Sequence, residues 1–165
     1  MPLKLPTLKR VSPHTLAIDA ALARRVLGEA ERHAPNETGG VLLGYHDDHT
    51  KVILVSDIVD AGPRARRETH RFEPDGAWQR KRIAELYASS GRTLAYVGDW
   101  HSHPLGGNPS GLDRATARRI AKTPAARCPH PIMLIAGCSK DRWELEAYRY
   151  ARRRLHRIGV EICEG

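Results

Sequence analysis

The 165-residue sequence predicts one α/β layer structure, a mixed β-sheet with about three helices in a single domain spanning residues 1–165. Three observations lead there. The length fits one domain and can bury a core without disulfides. Apolar residues make up 41% and charged residues 28%, a globular balance that excludes a disordered or fibrous chain. Segments with apolar residues at helical spacing are interspersed with short runs rich in branched residues.

The elements follow in order. Residues 17–33, AIDAALARRVLGEAERH, carry apolar side chains at helical spacing, with Asp19 as N-cap and Pro35 beyond the end. Residues 40–45, GVLLGY, read as a buried strand; HDDHT is a polar turn; residues 51–59, KVILVSDIV, form a second strand and complete a hairpin. A Gly-Pro-Arg loop starts at Gly62. Residues 75–88 read as a helix, with Pro74 in its first turn and Gly91 as its stop. A strand over 93–100 runs into His101, a loop covers 104–111, and a helix covers 111–122. Residues 131–137 and 142–150 are strands. The tail, 151–165, fits strand or helix.

No apolar run approaches the ~20 residues that span a bilayer. The N-terminal MPLKLPTLKRVSPHTL has prolines and lysines where a signal peptide needs an apolar core, so a cytoplasmic protein without membrane association is expected. Cys128, Cys138 and Cys163 are widely spaced and read as small buried apolar groups. The net charge of +8 favours acidic partners. Arginines gather at Arg64, Arg66, Arg67 and Arg71, and again at Arg149, Arg152, Arg153, Arg154 and Arg157, either as solvated faces or as a docking surface. No aromatic ladder interleaves them, so nucleic acid has weak support as a partner. Oligomeric state is not legible.

The chemistry concentrates in WHSHPLGGNPSGLD, residues 100–113. His101 and His103 are two apart at a strand end, so their imidazoles share a face. With Asp113 they form an open three-ligand set of the kind a catalytic zinc uses. Ser110 to Asp113 also reads as a capping box, whose helix start would aim Asp113 at the histidines. In ETGGVLLG, Glu37 is either a solvated helix-end glutamate or a general base beside a metal-activated water. Asp99 is a candidate partner for a histidine N–H, Trp100 a core residue, and His70 and Phe72 candidates to border a cleft.

Together ETGGVLLG, WHSHP and PSGLD resemble the JAMM (MPN-plus, JAB domain) zinc metalloproteases, whose pattern is a distant Glu, then H-x-H-P, then S-x-x-D. The likeness covers about residues 14–150 and is closest to bacterial members, some of which serve antiphage defence by removing conjugated proteins. It implies a curved mixed sheet of the cytidine-deaminase-like type. It also implies one Zn2+ per chain held by His101, His103 and Asp113 with a catalytic water, Glu37 as general base and Ser110 at the oxyanion. The implied substrate is a ubiquitin or ubiquitin-like protein, or its conjugate, cut after its C-terminus. One departure stands: five residues, Leu105 to Pro109, precede Ser110 where the family has six. The alternatives are a metal-free scaffold of this fold and a nucleic-acid-associated protein of RadC-like type. A zinc deaminase would need H-x-E and P-C-x-x-C, which do not occur.

Overall fold

A computed structural model describes residues 13–164. The N-terminal stretch weighed above as a leader lies, up to residue 12, outside the described residues. The strands are β1 (Thr15–Asp19), β2 (Gly39–Asp47), β3 (Val52–Val59), β4 (Arg66–Glu68), β5 (Arg71–Glu73), β6 (Ala95–His103), β7 (Ile132–Ser139), β8 (Arg142–Ala151) and β9 (Arg154–Cys163). The helices are α1 (Ala20–His33), α2 (Gly76–Ser89) and α3 (Gly111–Ala121), with a short 3-10 turn at Pro124–Ala126. None is long and apolar enough to cross a membrane.

Seven strands form one mixed sheet in the order β1-β3-β2-β6-β7-β8-β9. β1 lies parallel to both β3 and β9, so the sheet curls until its two margins meet. β6–β7 is parallel and the remaining pairs are antiparallel. β4 and β5 make a separate two-stranded ladder.

The concave side is the core. Ala23, Val26 and Ala30 of α1 meet Leu16, Ile18, Leu42, Ile53, Trp100, Leu134 and Ile158 there. Each fully buried Leu or Ile contributes roughly 1.5–3 kcal/mol relative to exposure. The other side carries two smaller clusters. Ala117 of α3 packs on Met133, Ile135, Tyr148 and Tyr150, and Trp78, Ile83 and Leu86 of α2 cover Val41, Leu43 and Val59. Trp100 is 1% exposed, as its core assignment predicts. Val97 joins it in the core although the two are three apart. A register shift explains this: Gly98 opposes Leu42 and Tyr96 opposes Leu43, so Val97 is an extra residue. The bulge puts Tyr96 and Asp99 on one face, with His101 and His103.

Asp19 caps α1, accepting from the Ala21 N–H at 2.8 Å. Residues 17–19, expected in that helix, belong instead to β1, whose ladders tie Leu16 and Ile18 between β3 and β9. Pro74 does not enter the first turn of α2, because Asp75 is the N-cap. Gly91 follows the C-cap with φ +68, as a helix stop requires. The loop after Gly62 contains the β4–β5 hairpin, and the ambiguous tail is strand β9. The three cysteines are free, Cys128 being buried and the other two partly exposed.

Candidate metal centre

β6 delivers His101 and His103 to the end of the sheet, and the first turn of α3 delivers Asp113. The two Nε2 atoms lie 3.0 Å apart. Asp113 Oδ1 is 3.1 Å from His101 Nε2, and Oδ2 is 3.4 Å from His103 Nε2. The three side chains are nearly enclosed, 10–13% exposed. One ligand atom from each lies within 4.8 Å of the others, so the group could hold a metal ion. His103 Nδ1 is 3.3 Å from the Gly107 carbonyl. With an ion in place, a hydrogen bond there would keep the proton on Nδ1 and turn the Nε2 lone pair to the ion, whereas a protonated Nε2 donates to Asp113. Gly107 takes φ +105, a conformation suited to glycine. The donor set, two imidazole nitrogens and a carboxylate, fits a borderline divalent ion.

The capping box that aims Asp113 is present. Ser110 Oγ accepts the Asp113 N–H at 3.1 Å, and Asp113 Oδ2 accepts the Ser110 N–H at 2.6 Å. The loop that is one residue shorter than the family pattern therefore still delivers Ser110 to the N-cap of α3. For Asp113, burial alone would raise the pKa. Hydrogen bonds from His101 and His103, the His101 charge and the Ser110 N–H outweigh it and hold the carboxyl well below the usual carboxylate range. Burial would lower the His103 pKa, but Asp113, the Gly107 carbonyl and Glu37 raise it.

Glu37 is half-buried in the short segment between α1 and β2. Burial raises its pKa, opposed by the charges of His101 and His103. It lines two clefts together with Asp113. One, of about 450 Å³, also contains His70, His103 and Ser110. The other, about 390 Å³, contains Phe72, His101 and Arg119. His70 and Phe72 thus border the site, as expected. Gly39 allows this closeness: a Cβ there would lie 2.4 Å from the Trp100 carbonyl oxygen and 3.1 Å from the Cβ of His101.

Three residues besides the candidate ligands and base fix this geometry. Thr38 and Ser102 are fully buried. The Thr38 N–H donates to Ser102 Oγ at 2.9 Å, and the Ser102 N–H donates to the Thr38 carbonyl at 2.8 Å. Arg67 of β4 donates from Nε to Thr38 Oγ1 at 2.9 Å, and the Glu37 N–H donates to the Glu68 carbonyl at 2.9 Å. The hairpin is thereby fastened to the chain on both sides of the Glu37 side chain. A serine between the two histidines was the available signal; nothing local marked Arg67. Asp99 takes the Tyr96 hydroxyl at 2.9 Å rather than a histidine N–H, which corrects the expectation for it. Burial pushes its pKa up to about 6, against the pull of Tyr96 and His101.

Comparison with known proteins bears on this site. A probable metalloprotease, y4qB, from Sinorhizobium fredii is 35% identical over 79% of this chain and 80% of its own length. A protein named CD-NTase/cGAS isopeptidase from Enterobacter hormaechei is 32% identical over 75% of this chain and 68% of its own length. The solution structure of a Desulfitobacterium hafniense protein, DSY2949, superimposes with a TM-score of 0.69 at 18% identity, covering 91% of this chain and 94% of the other, and so shares the fold. The family model described as prokaryotic homologues of the JAB domain matches residues 19–150, and the chain belongs to that family.

Proposed function

We propose that this chain is a zinc metallopeptidase that hydrolyses the peptide or isopeptide bond after the C-terminus of a ubiquitin-like protein. The observation that carries the reading is the meeting of His101, His103 and Asp113 beside a cleft that Glu37 also lines. The metalloprotease and isopeptidase names of its relatives support the same chemistry.

In this reading the two imidazoles and Asp113 hold the ion. Zinc there would polarise the scissile carbonyl and lower the pKa of a water toward ~7. Glu37 takes the proton of the attacking water as the new C–O bond forms, and returns it to the leaving nitrogen as the C–N bond breaks. Burial raises its pKa, the direction that favours a carboxylate able to take a proton and give it back. Ser110 Oγ already accepts from the Asp113 N–H, which leaves its own hydrogen to donate to the developing oxyanion.

Each of the seven main strands has a neighbour on both sides, so strand addition to the main sheet has little room. The β4–β5 hairpin is the ladder left open for an extended substrate tail, and it is tied to the segment that carries Glu37. The test incubates the protein with fusions of ubiquitin-like proteins, with and without a zinc chelator. Wild-type cleavage that the chelator stops, and that Glu37→Gln lacks while still binding zinc, is the expected result. Undiminished cleavage by Glu37→Gln would end the proposal.

A further inference from the structure

The C-terminal arginine cluster divides in space. Arg157 pairs with Glu146 at 3.1 Å, and Arg153 lines an open groove with Arg114 and Arg118 of α3. Arg149 turns the other way. On β8, Trp143, Leu145 and Ala147 face the concave core, whereas Tyr148 and Tyr150 pack beneath α3. Strand alternation therefore puts Arg149 on the core side.

Arg149 is half-buried, and its Nε is fully buried without a hydrogen-bond partner. Among the described residues it forms no salt bridge; Asp48 is the carboxylate whose charge reaches it. Burial lowers its pKa, with Asp48 and Cys128 acting the other way. A partly desolvated cation without a directly paired counter-ion costs free energy, and a residue that breaks the local pattern in this way marks a site of use.

Arg149 faces a cavity of about 440 Å³ at the N-terminal end of β6, away from His101 and His103. Arg127, His46 and His130 line the same cavity, together with Tyr45, Tyr96 and Asp48. His130 is positioned by a 3.2 Å contact from Nδ1 to the Tyr150 carbonyl. The volume lies within the roughly 300–1,000 Å³ range of small-molecule sites. Two arginines and two histidines outweigh one aspartate, and a guanidinium fork matches a tetrahedral oxyanion through paired N–H donors.

We propose that this cavity binds a phosphate-bearing small molecule, with Arg149 as the principal donor and Arg127, His46 and His130 around it. The idea stands apart from the hydrolase reading, since neither its residues nor its test uses turnover.

The test is calorimetric titration and thermal melting of the full chain with inorganic phosphate and with phenyl phosphate, against potassium chloride at matched ionic strength. Both phosphates are expected to bind and to raise the Tm. Arg149→Met should weaken binding by about tenfold or more, and the exposed His46→Ala several-fold. Tighter binding of phenyl phosphate identifies an organic phosphomonoester; equal binding identifies free phosphate. In phosphate-free buffer Arg149→Met should melt no lower than wild type, because it removes an unpaired buried cation. Absence of binding, the same Tm rise with chloride, or binding that survives both substitutions would overturn the proposal. A large loss of stability in phosphate-free Arg149→Met would also overturn it, by making Arg149 a structural residue.

Discussion

At the C-terminal end of β6, two imidazoles and a carboxylate hold one another at 3.0 to 3.4 Å, and a backbone amide and a carbonyl hold them in turn. At its N-terminal end, the cavity beside Tyr96 faces Arg149, whose buried Nε has no hydrogen-bond partner among the described residues. The first cluster has its opposite charges in direct contact; at the second, Asp48 lies in the lining but forms no ion pair with Arg149 among the described residues. The difference teaches which way each end should respond when a residue is removed. Truncation within the paired cluster exposes its remaining members to desolvation without compensation, whereas truncation at the unpaired one relieves it.

The largest expected effect is at the paired end. Asp113→Ala should release the metal and abolish cleavage together, by bound-zinc analysis and fusion assays. Glu37→Gln should retain the metal and lose about 10²–10⁴ in kcat, separating ion-holding from proton transfer. Metal retained by Asp113→Ala would break the comparison. Ser110→Ala comes next. It removes an oxyanion donor, worth roughly 10²–10³ in kcat, and the α3 cap, worth about 1 kcal/mol of stability, read by kinetics and denaturation.

Between the two ends sits Asp99. Its folded pKa near 6 exceeds the ordinary 3.8, so the folded state binds the proton more tightly than the unfolded. Its contribution is fully present below pH 3.8 and is lost as pH rises through 6. Asp99→Asn should therefore gain up to about 3 kcal/mol on wild type between pH 4 and pH 7, in urea melts with chelator present. A parallel pH dependence for both proteins would show that Asp99 does not titrate in this window. The smallest effect is Arg149→Met in phosphate-free buffer, with a Tm unchanged or raised by a few degrees.

The histidine pair and the capping box were legible because each is set by local spacing: strand alternation and an S-x-x-D cap. Asp19 as the α1 cap was legible for the same reason. β1 was not, because its apolar residues run into the helical pattern and its two parallel neighbours lie far along the chain. β4 and β5 are three residues each and highly charged, without apolar alternation to read. The β8–β9 hairpin turns at Arg152 and Arg153 with φ +49 and +66, so the Asn-Gly signal of such a turn is missing and the tail stayed ambiguous. The Arg149 cavity draws on β2, the approach to β7 and β8, and no spacing links them.

The tether between β4 and the residues around Glu37 has a mechanical consequence. A flap that merely gripped a long substrate would govern affinity, and short substrates would not notice its loss. Here the β4–β5 hairpin is bonded to the segment of Glu37, the proposed proton carrier, through the Glu68 carbonyl and the Arg67 guanidinium. Severing that link at Arg67 would loosen Glu37 itself, so even a peptide too short to reach the hairpin would turn over more slowly.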